Sequence, residues 1–342
     1  MRRCGSRGKY KVAPAGHRLP PSRQCLVPGC LVVGLILLIF TGLPLSIAGE
    51  ETMEREPADC RYSPDAERPE HAAPWRSHPL PNDDVFSPLL ADPKQPRFFA
   101  SYQATRARDV GRSVAIASVG FGENFGLWGR REEGSCNGFQ VGILAGVFSQ
   151  FNLDAPSFDL LNSDFTIGLP FSWRQGPFST RVRLYHQSSH LGDELLLGNP
   201  GINRLNLSFE ELEALLSLDS PGGWGRVYAG GGYLLHRDPA SLDRAKVQWG
   251  VELRGPTWHW ARLEQAVKGS LAMTPIFGAD FKSFEEQGWT VNTSVMGGLE
   301  WWGTQATRRF RILLNYYRGF NPYGQFFSQK VETFGLGLYL AF

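Results

Sequence analysis

The sequence has little charge and almost no excess of either sign. Lys and Arg number 35 against 33 Asp and Glu, a formal net charge of +2. That balance excludes a polycationic nucleic-acid binder and an acidic-tail protein, so no nucleic-acid partner is expected. Charged residues make up 20% of the 342 positions, below what a soluble globular domain of this size carries. Cysteine is scarce, with five in all and neither a CxxC pair nor a Cys/His cluster, which excludes a zinc-stapled fold. After residue 48 no apolar run approaches the roughly 18 residues that a membrane-spanning helix requires. No motif calls for a cofactor: Gly230-Gly231-Gly232 follows Val227-Tyr228-Ala229 inside an extended segment with no helix behind it, so it reads as a bulge or close-packing point, not a phosphate loop.

What is abundant is glycine (39), tryptophan (10) and aromatic residues generally (13%). Low charge with many glycines and aromatics is the composition of a transmembrane β-barrel, whose aromatic rings form girdles at the two interfaces. The first 24 residues carry Arg2, Arg3, Arg7, Lys9, Lys11, Arg18 and Arg23 and no acid, and an uncharged apolar run extends from Leu31 to Ala48. Small residues at Ser46 and Ala48 complete the pattern of a secretory signal over 1–48, cleaved after Ala48. The competing expectation is an uncleaved anchor, and Gly42 and Pro44 speak against it. Cleavage removes Cys4, Cys25 and Cys30 and leaves Cys60 and Cys136, whose pairing the spacing does not decide. Residues 49–96 hold nine prolines and scattered charges; the stretch is expected to be an extended periplasmic linker without a core, except that Ser87–Pro93 is placed to pack against the domain that begins at residue 97.

From residue 97 the apolar residues recur with period two. Phe334, Leu336, Leu338 and Leu340 share one parity and Thr333, Gly335, Gly337 and Tyr339 the other. Phe310, Ile312, Leu314 and Tyr316 alternate with Arg309, Arg311, Leu313 and Asn315. Twelve such segments are expected, near 97–106, 113–121, 137–150, 162–174, 177–190, 203–217, 224–236, 246–254, 270–282, 288–302, 307–319 and 330–342. Bilayer-crossing strands need roughly ten residues, longer than the five or six usual in soluble sheets. A soluble sandwich would put dense charge on its outer face. Here the non-apolar parity is Gly, Ala, Ser and Thr with isolated Arg and Glu, which suits a lumen. The expected fold is therefore all-β, a transmembrane antiparallel barrel of about twelve strands over 97–342, in the cell outer membrane. Three places fit poorly: Leu207–Leu218 also has the pattern of an amphipathic helix, residues 256–270 have no clear strand pattern, and the link 122–136 is too long for a periplasmic turn if odd-numbered strands run outward.

The segment 178–194 carries more than architecture. Arg181, Arg183, Tyr185, Gln187 and Ser189 share a parity that must face the lumen, because two arginines are costly in hydrocarbon. The other parity begins apolar at Phe178, Val182 and Leu184 and ends in His186, Ser188 and His190. Those polar residues lie either in the headgroup zone or in a site. A histidine that takes the proton of a serine hydroxyl makes that serine a nucleophile, and lipid esters would reach it laterally. Asn206, Ser208, Glu210, Asp193 and Glu194 are the candidates for orienting the imidazole. Two histidines at i and i+4 of a strand are about 13 Å apart, so His186 and His190 do not share a metal with Asp193 and Glu194 without a bend, and no metal site is expected. Arg181, Arg183, Arg309, Arg311 and Arg254 are expected in the lumen, paired with Glu252, Glu300 or Asp280 and plugging it, or lining a narrow anion-leaning channel.

The triplet His186-Gln187-Ser188 resembles the His-x-Ser of outer-membrane phospholipase A and of the lipid A deacylases, which face lipid near the outer leaflet. The resemblance implies His186 as base and Ser188 as nucleophile, and leaves the orienting group open among Asn206, Glu210 and the other candidates above; the Asn that comes after the serine in those families is Ser189 here. The terminal Tyr339-Leu340-Ala341-Phe342 is similar to the signal read by the barrel-assembly machinery. Leu89-Leu90-Ala91-Asp92-Pro93 with Pro96-Arg97, and Arg183 to Glu194, resemble the exported bacterial family known as domain-of-unknown-function 1207 over roughly 88–342. That resemblance implies an exported outer-membrane protein and no activity. Three functions are open to such a chain: a structural or transport-related barrel, a lipid esterase using Ser188 and His186, and a narrow channel.

Overall fold

The computed structural model describes residues 74–81, 84–107, 113–133, 135–198, 205–260, 271–303 and 308–341. The expected signal over 1–48, Cys60 and Phe342 lie outside the described residues. Twelve antiparallel strands close into one barrel: β2 (Phe98–Ala107), β3 (Ser113–Glu132), β4 (Gly138–Asn152), β5 (Leu160–Gln175), β6 (Phe178–Leu191), β7 (Leu207–Asp219), β8 (Gly225–Asp238), β9 (Ala245–Arg254), β11 (Leu271–Phe284), β12 (Val291–Gly303), β13 (Arg309–Phe320) and β14 (Lys330–Ala341). β14 pairs with β2, so no sheet edge is left along the wall. Two short strands lie off the ring: β1 (Trp75–Pro79) on β3, and β10 (Trp258–Trp260) on β11.

All twelve expected strands are present. Leu207–Leu218 is extended, not helical, because its alternate residues Glu211, Glu213 and Ser217 find lumen partners while Leu212, Leu216 and Leu218 point outward. The long link 122–136 also resolves: β3 continues to Glu132, where Trp128–Glu132 takes Pro79–Trp75 as a further strand, so only residues 133–137 turn. The turn at Gly176, whose φ of 56° favours glycine, and the turn 220–224 lie at one end, where β9 is also followed by the short strand β10. The links 153–159, 239–244 and 321–329 lie at the other. Apart from the β10 connection, this asymmetry is that of outer-membrane barrels, short turns inside and longer loops outside.

The wall is inverted relative to a soluble protein. Leu216 is 69% exposed and Ile167 58%, with Phe165, Leu169, Phe171, Leu184, Val247 and Leu336 beside them on the outside. Arg174, Arg181, Arg183, Glu211, Glu213, Gln248, Glu252, Asp280 and Glu300 are buried inside. No second sheet or helix covers the apolar side among the described residues, so hydrocarbon is what it meets. Exposed rings sit near both rims, Trp173, Phe178 and Trp224 at the short-turn end and Phe158 and Trp289 at the long-loop end.

The end of the proline-rich stretch fills the lumen. Val85, Phe86, Leu89, Leu90, Ala91 and Asp92 are buried there. Phe86 and Leu89 cluster with Leu215 and Tyr228; Leu90 and Ala91 cluster with Ile276, Met296, Leu313 and Tyr339. Pro88, Pro93 and Pro96 keep the segment from forming a ladder, so its backbone groups need other partners. The wall supplies them: Leu90 N donates to Glu252 Oε1 at 2.6 Å, Arg174 Nε donates to Val85 O at 3.0 Å and Arg226 Nη1 to Ser87 O at 2.8 Å. Arg97, at the foot of the segment, donates back to Leu90 O at 2.6 Å. Buried charge in the wall is thus matched to irregular backbone in the plug.

Candidate functional site

Two groups of polar residues stand out, one inside the barrel and one outside. Inside, Arg181 and Arg183 on β6 both reach Glu213 on β7, at 3.2 and 2.7 Å, and Lys246 on β9 joins them at 2.9 Å. Lys246 also meets Glu211 at 2.5 Å, and Tyr185 donates to the same carboxylate at 2.6 Å. Gly232 on β8 makes room for this group, since a Cβ there would overlap the Glu211 carboxylate. Arg309, Arg311 and Arg254 converge on Glu300 at 3.0, 2.6 and 2.7 Å. The partner of Arg181 and Arg183 is therefore Glu213, not Glu252, Glu300 or Asp280. It sits in the segment whose pattern also fits a helix. With all five of these arginines paired, none of them offers the lumen a free positive charge to attract anions. Between the plug and the long loops a cavity of about 160 Å³ remains, lined by Arg183, Tyr185, Lys246, Lys282 and Tyr317 among others.

Outside, the parity of β6 puts His186, Ser188 and His190 on the lipid-facing wall, while Ser189 points inward and donates to Asn162 at 3.0 Å and also to Asp164. Counting from Phe178, His186 and Ser188 lie about 20 and 25 Å above the foot of the strand, given a rise of about 3.3 Å per residue and a tilt near 40°. That is the upper limit of an apolar belt roughly 25 Å tall. The neighbouring strand is in register to complete a group: Glu210 lies opposite His186, and Ser208 opposite Ser188. His186 Nδ1 and Glu210 Oε1 are 2.8 Å apart. An ionised carboxylate only accepts, so the ring proton is on Nδ1 and Nε2 is left as a free base on the ring carrying it. Ser188, two residues on, shares that face at about 6.6 Å along the strand.

Asn206 does not join the group. It stands at the mouth of β7 and its amide donates to Asp238. Asp193 and Glu194 open the short helix α1 (Asp193–Gly198) and are exposed, and His190 packs its ring edge-on to Phe165 at 5.8 Å. A further member comes from β8: His236 Nδ1 lies 2.8 Å from the second oxygen of Glu210. By strict alternation with Val227, Ala229 and Tyr233 on the outside, His236 belongs to the lumen side. A β-bulge opposite Glu210/Glu211 inserts Leu235 and turns His236 onto the outer face. The sequence offers no signal for that bulge, which is why His236 escapes a reading by parity.

His186 and Glu210 thus form a hydrogen-bonded pair on the outer face of the barrel, with Ser188 two residues along the same face of β6. Comparison with solved structures gives barrels of the same kind. The Salmonella typhi outer membrane phospholipase dimer with bound calcium shares 11% identity and a TM-score of 0.46, over 73% of this chain and 94% of that one. Escherichia coli outer membrane phospholipase A shares 12% identity and a TM-score of 0.45, over 76% and 93%. The β domain of the Bordetella autotransporter BrkA shares 13% identity and a TM-score of 0.36, over 72% and 97%. No curated protein sequence matches the chain. The sequence profile of one family matches residues 49–342, and the chain belongs to that family, described as protein of unknown function DUF1207.

Proposed function

We propose that this barrel is a serine hydrolase of membrane lipid esters, seated in the cell outer membrane with its site at the outer leaflet. The observation that carries the proposal is the 2.8 Å bond between His186 Nδ1 and Glu210 Oε1 on the lipid-facing wall, with Ser188 next along the same face. In this reaction Ser188 Oγ attacks the ester carbonyl and its proton passes to His186 Nε2. His186 then gives that proton to the departing alcohol; water, deprotonated by the same nitrogen, attacks the acyl carbonyl, the bond to Ser188 Oγ breaks, and His186 returns the proton to Ser188 Oγ as the fatty acid leaves. Glu210 is the positioning residue that holds the imidazole and stabilises its charged form. The lipid partner arrives from the side, through the bilayer, so no channel to the site is needed. Delivery to the membrane by the barrel-assembly machinery, through the strand that ends in Tyr339-Leu340-Ala341-Phe342, belongs to the same proposal.

The lumen argues against transport as the main role, because the segment 84–97 and its ion pairs occupy it. The test is fatty-acid release from bilayers of mixed phospholipid and lipopolysaccharide by the purified protein, with and without divalent cations. Turnover that disappears in Ser188→Ala and His186→Ala and persists in Ser189→Ala is expected. No turnover under any of these conditions, or turnover retained in Ser188→Ala, refutes the proposal.

A further inference from the structure

Glu210 is shared. Its two oxygens are each 2.8 Å from a histidine Nδ1, Oε1 from His186 on β6 and Oε2 from His236 on β8. The three side chains lie on three adjacent strands, and the bulge at Leu235 is what brings the third one round to the outer face. The His236 side chain is 75% exposed against 42% for His186. A bulge costs ladder hydrogen bonds, and here the extra residue leaves two adjacent side chains, Leu235 and His236, facing out together.

We propose that His236 is a positioning residue of the hydrolase site. The inference rests on Ser188 and His186 being the reacting pair. As an Nδ1 donor His236 holds the second oxygen of Glu210 and so fixes the carboxylate for His186. Without that second bond the Glu210 side chain is free to swing away from His186, and the imidazole loses the partner that keeps its proton on Nδ1. The polar neighbours on the same loops are engaged elsewhere: Arg237 is held by Ala240 O, Asp238 by Asn206, and Arg244 by Leu234 O and Leu235 O beside the bulge.

The experiment reads the His186 and His236 tautomers by ¹⁵N NMR in lipid nanodiscs at neutral pH, in the wild type, in His236→Ala, and in His236→Gln, whose amide still donates to Glu210. His186 is expected in the Nδ1-protonated form in the wild type and in His236→Gln, and as a mixture of both tautomers in His236→Ala. The kcat for ester hydrolysis is expected to fall about tenfold in His236→Ala with KM little changed, and to be restored in His236→Gln, whereas a merely structural role would not be rescued by the conservative variant. Heat-modifiable gel mobility checks the fold of both variants. A His186 tautomer that is identical in the wild type and His236→Ala, or a His236 ring protonated on Nε2 alone, overturns the inference. If the wild type hydrolyses no lipid, the function proposed above falls, while the His186 tautomer is still measured.

Discussion

Asp92 of the plug and Lys282 of β11 lie 2.5 Å apart, the carboxylate wholly shut away from solvent. Gln248 adds a bond to the other carboxylate oxygen at 3.2 Å. This pair ties a segment with no regular structure to the wall near the long-loop end of β11. Breaking a buried pair leaves the remaining charge without compensation, which costs about 3–5 kcal/mol. Asp92→Ala is expected to lower the unfolding free energy by that order in urea titrations followed by tryptophan fluorescence. Replacement of residues 85–95 by a Gly/Ser segment of equal length is expected to give single-channel steps in planar bilayers, where the wild type is silent. A conducting wild type would show that the plug does not seal.

Glu213 is the hub of the inner network, with Arg181, Arg183 and Lys246 on one carboxylate. Neutralising it strands Arg181 and Arg183 in a closed lumen and leaves Lys246 with Glu211 alone. Glu213→Gln is expected to destabilise by at least about 3 kcal/mol. Arg181→Gln, which removes one cation of three and leaves Glu213 paired, is expected to cost less. Comparing the two in thermal unfolding by gel mobility shift checks the order, and a larger loss in Arg181→Gln would contradict the hub assignment.

How far the sequence reaches can be read from these same residues. The parity of β6 is legible because Arg181 and Arg183 cannot sit in hydrocarbon, and that alone assigns Ser188 to the outside and Ser189 to the lumen. Strand positions come from the same alternation. Glu213 is harder to see, because Leu207–Leu218 satisfies periods of two and of 3.6 alike, and only pairing with Arg183 decides between them. The plug lies beyond the pattern altogether. Val85–Arg97 has no periodicity, and its place is set by single contacts with Glu252, Arg174 and Arg226 far along the chain. His236 illustrates the limit in another form, since one inserted residue reverses the parity that sequence reasoning depends on.

The outward face of the wall makes its own prediction. Leu212, 44% exposed on β7 and paired with Leu184 of β6, lies about 15 Å above the foot of the wall, near the middle of the apolar belt. An arginine on the lipid face near the midplane costs about 2–4 kcal/mol, and far less near the rims. Leu212→Arg is expected to lose stability in that range when refolded into bilayers, while Trp289→Arg, at the long-loop rim, is expected to lose under about 1 kcal/mol. Equal losses at both positions would mean that something other than hydrocarbon faces Leu212.

The most incisive variant of the outer site changes one atom. Glu210→Gln keeps the shape of the carboxylate and replaces an oxygen with an amide nitrogen. Of the two rings that donate to Glu210, one then meets an amide oxygen and the other an NH₂ group. The ring opposite the NH₂ must accept through Nδ1, which moves its proton to Nε2 and removes it as a base. Where that ring is His186, Ser188 loses the acceptor for its proton; where it is His236, His186 keeps its tautomer but loses the negative charge that stabilises its protonated form. Either way hydrolysis is expected to fall by roughly 10²–10⁴-fold, as for a base held in the wrong tautomer or without its carboxylate. Labelling of Ser188 by an alkyl fluorophosphonate is expected to slow in parallel, since it uses the same proton transfer, while the fold is kept because the side chain stands at the surface. Unchanged labelling in Glu210→Gln would mean that the carboxylate does not act through His186.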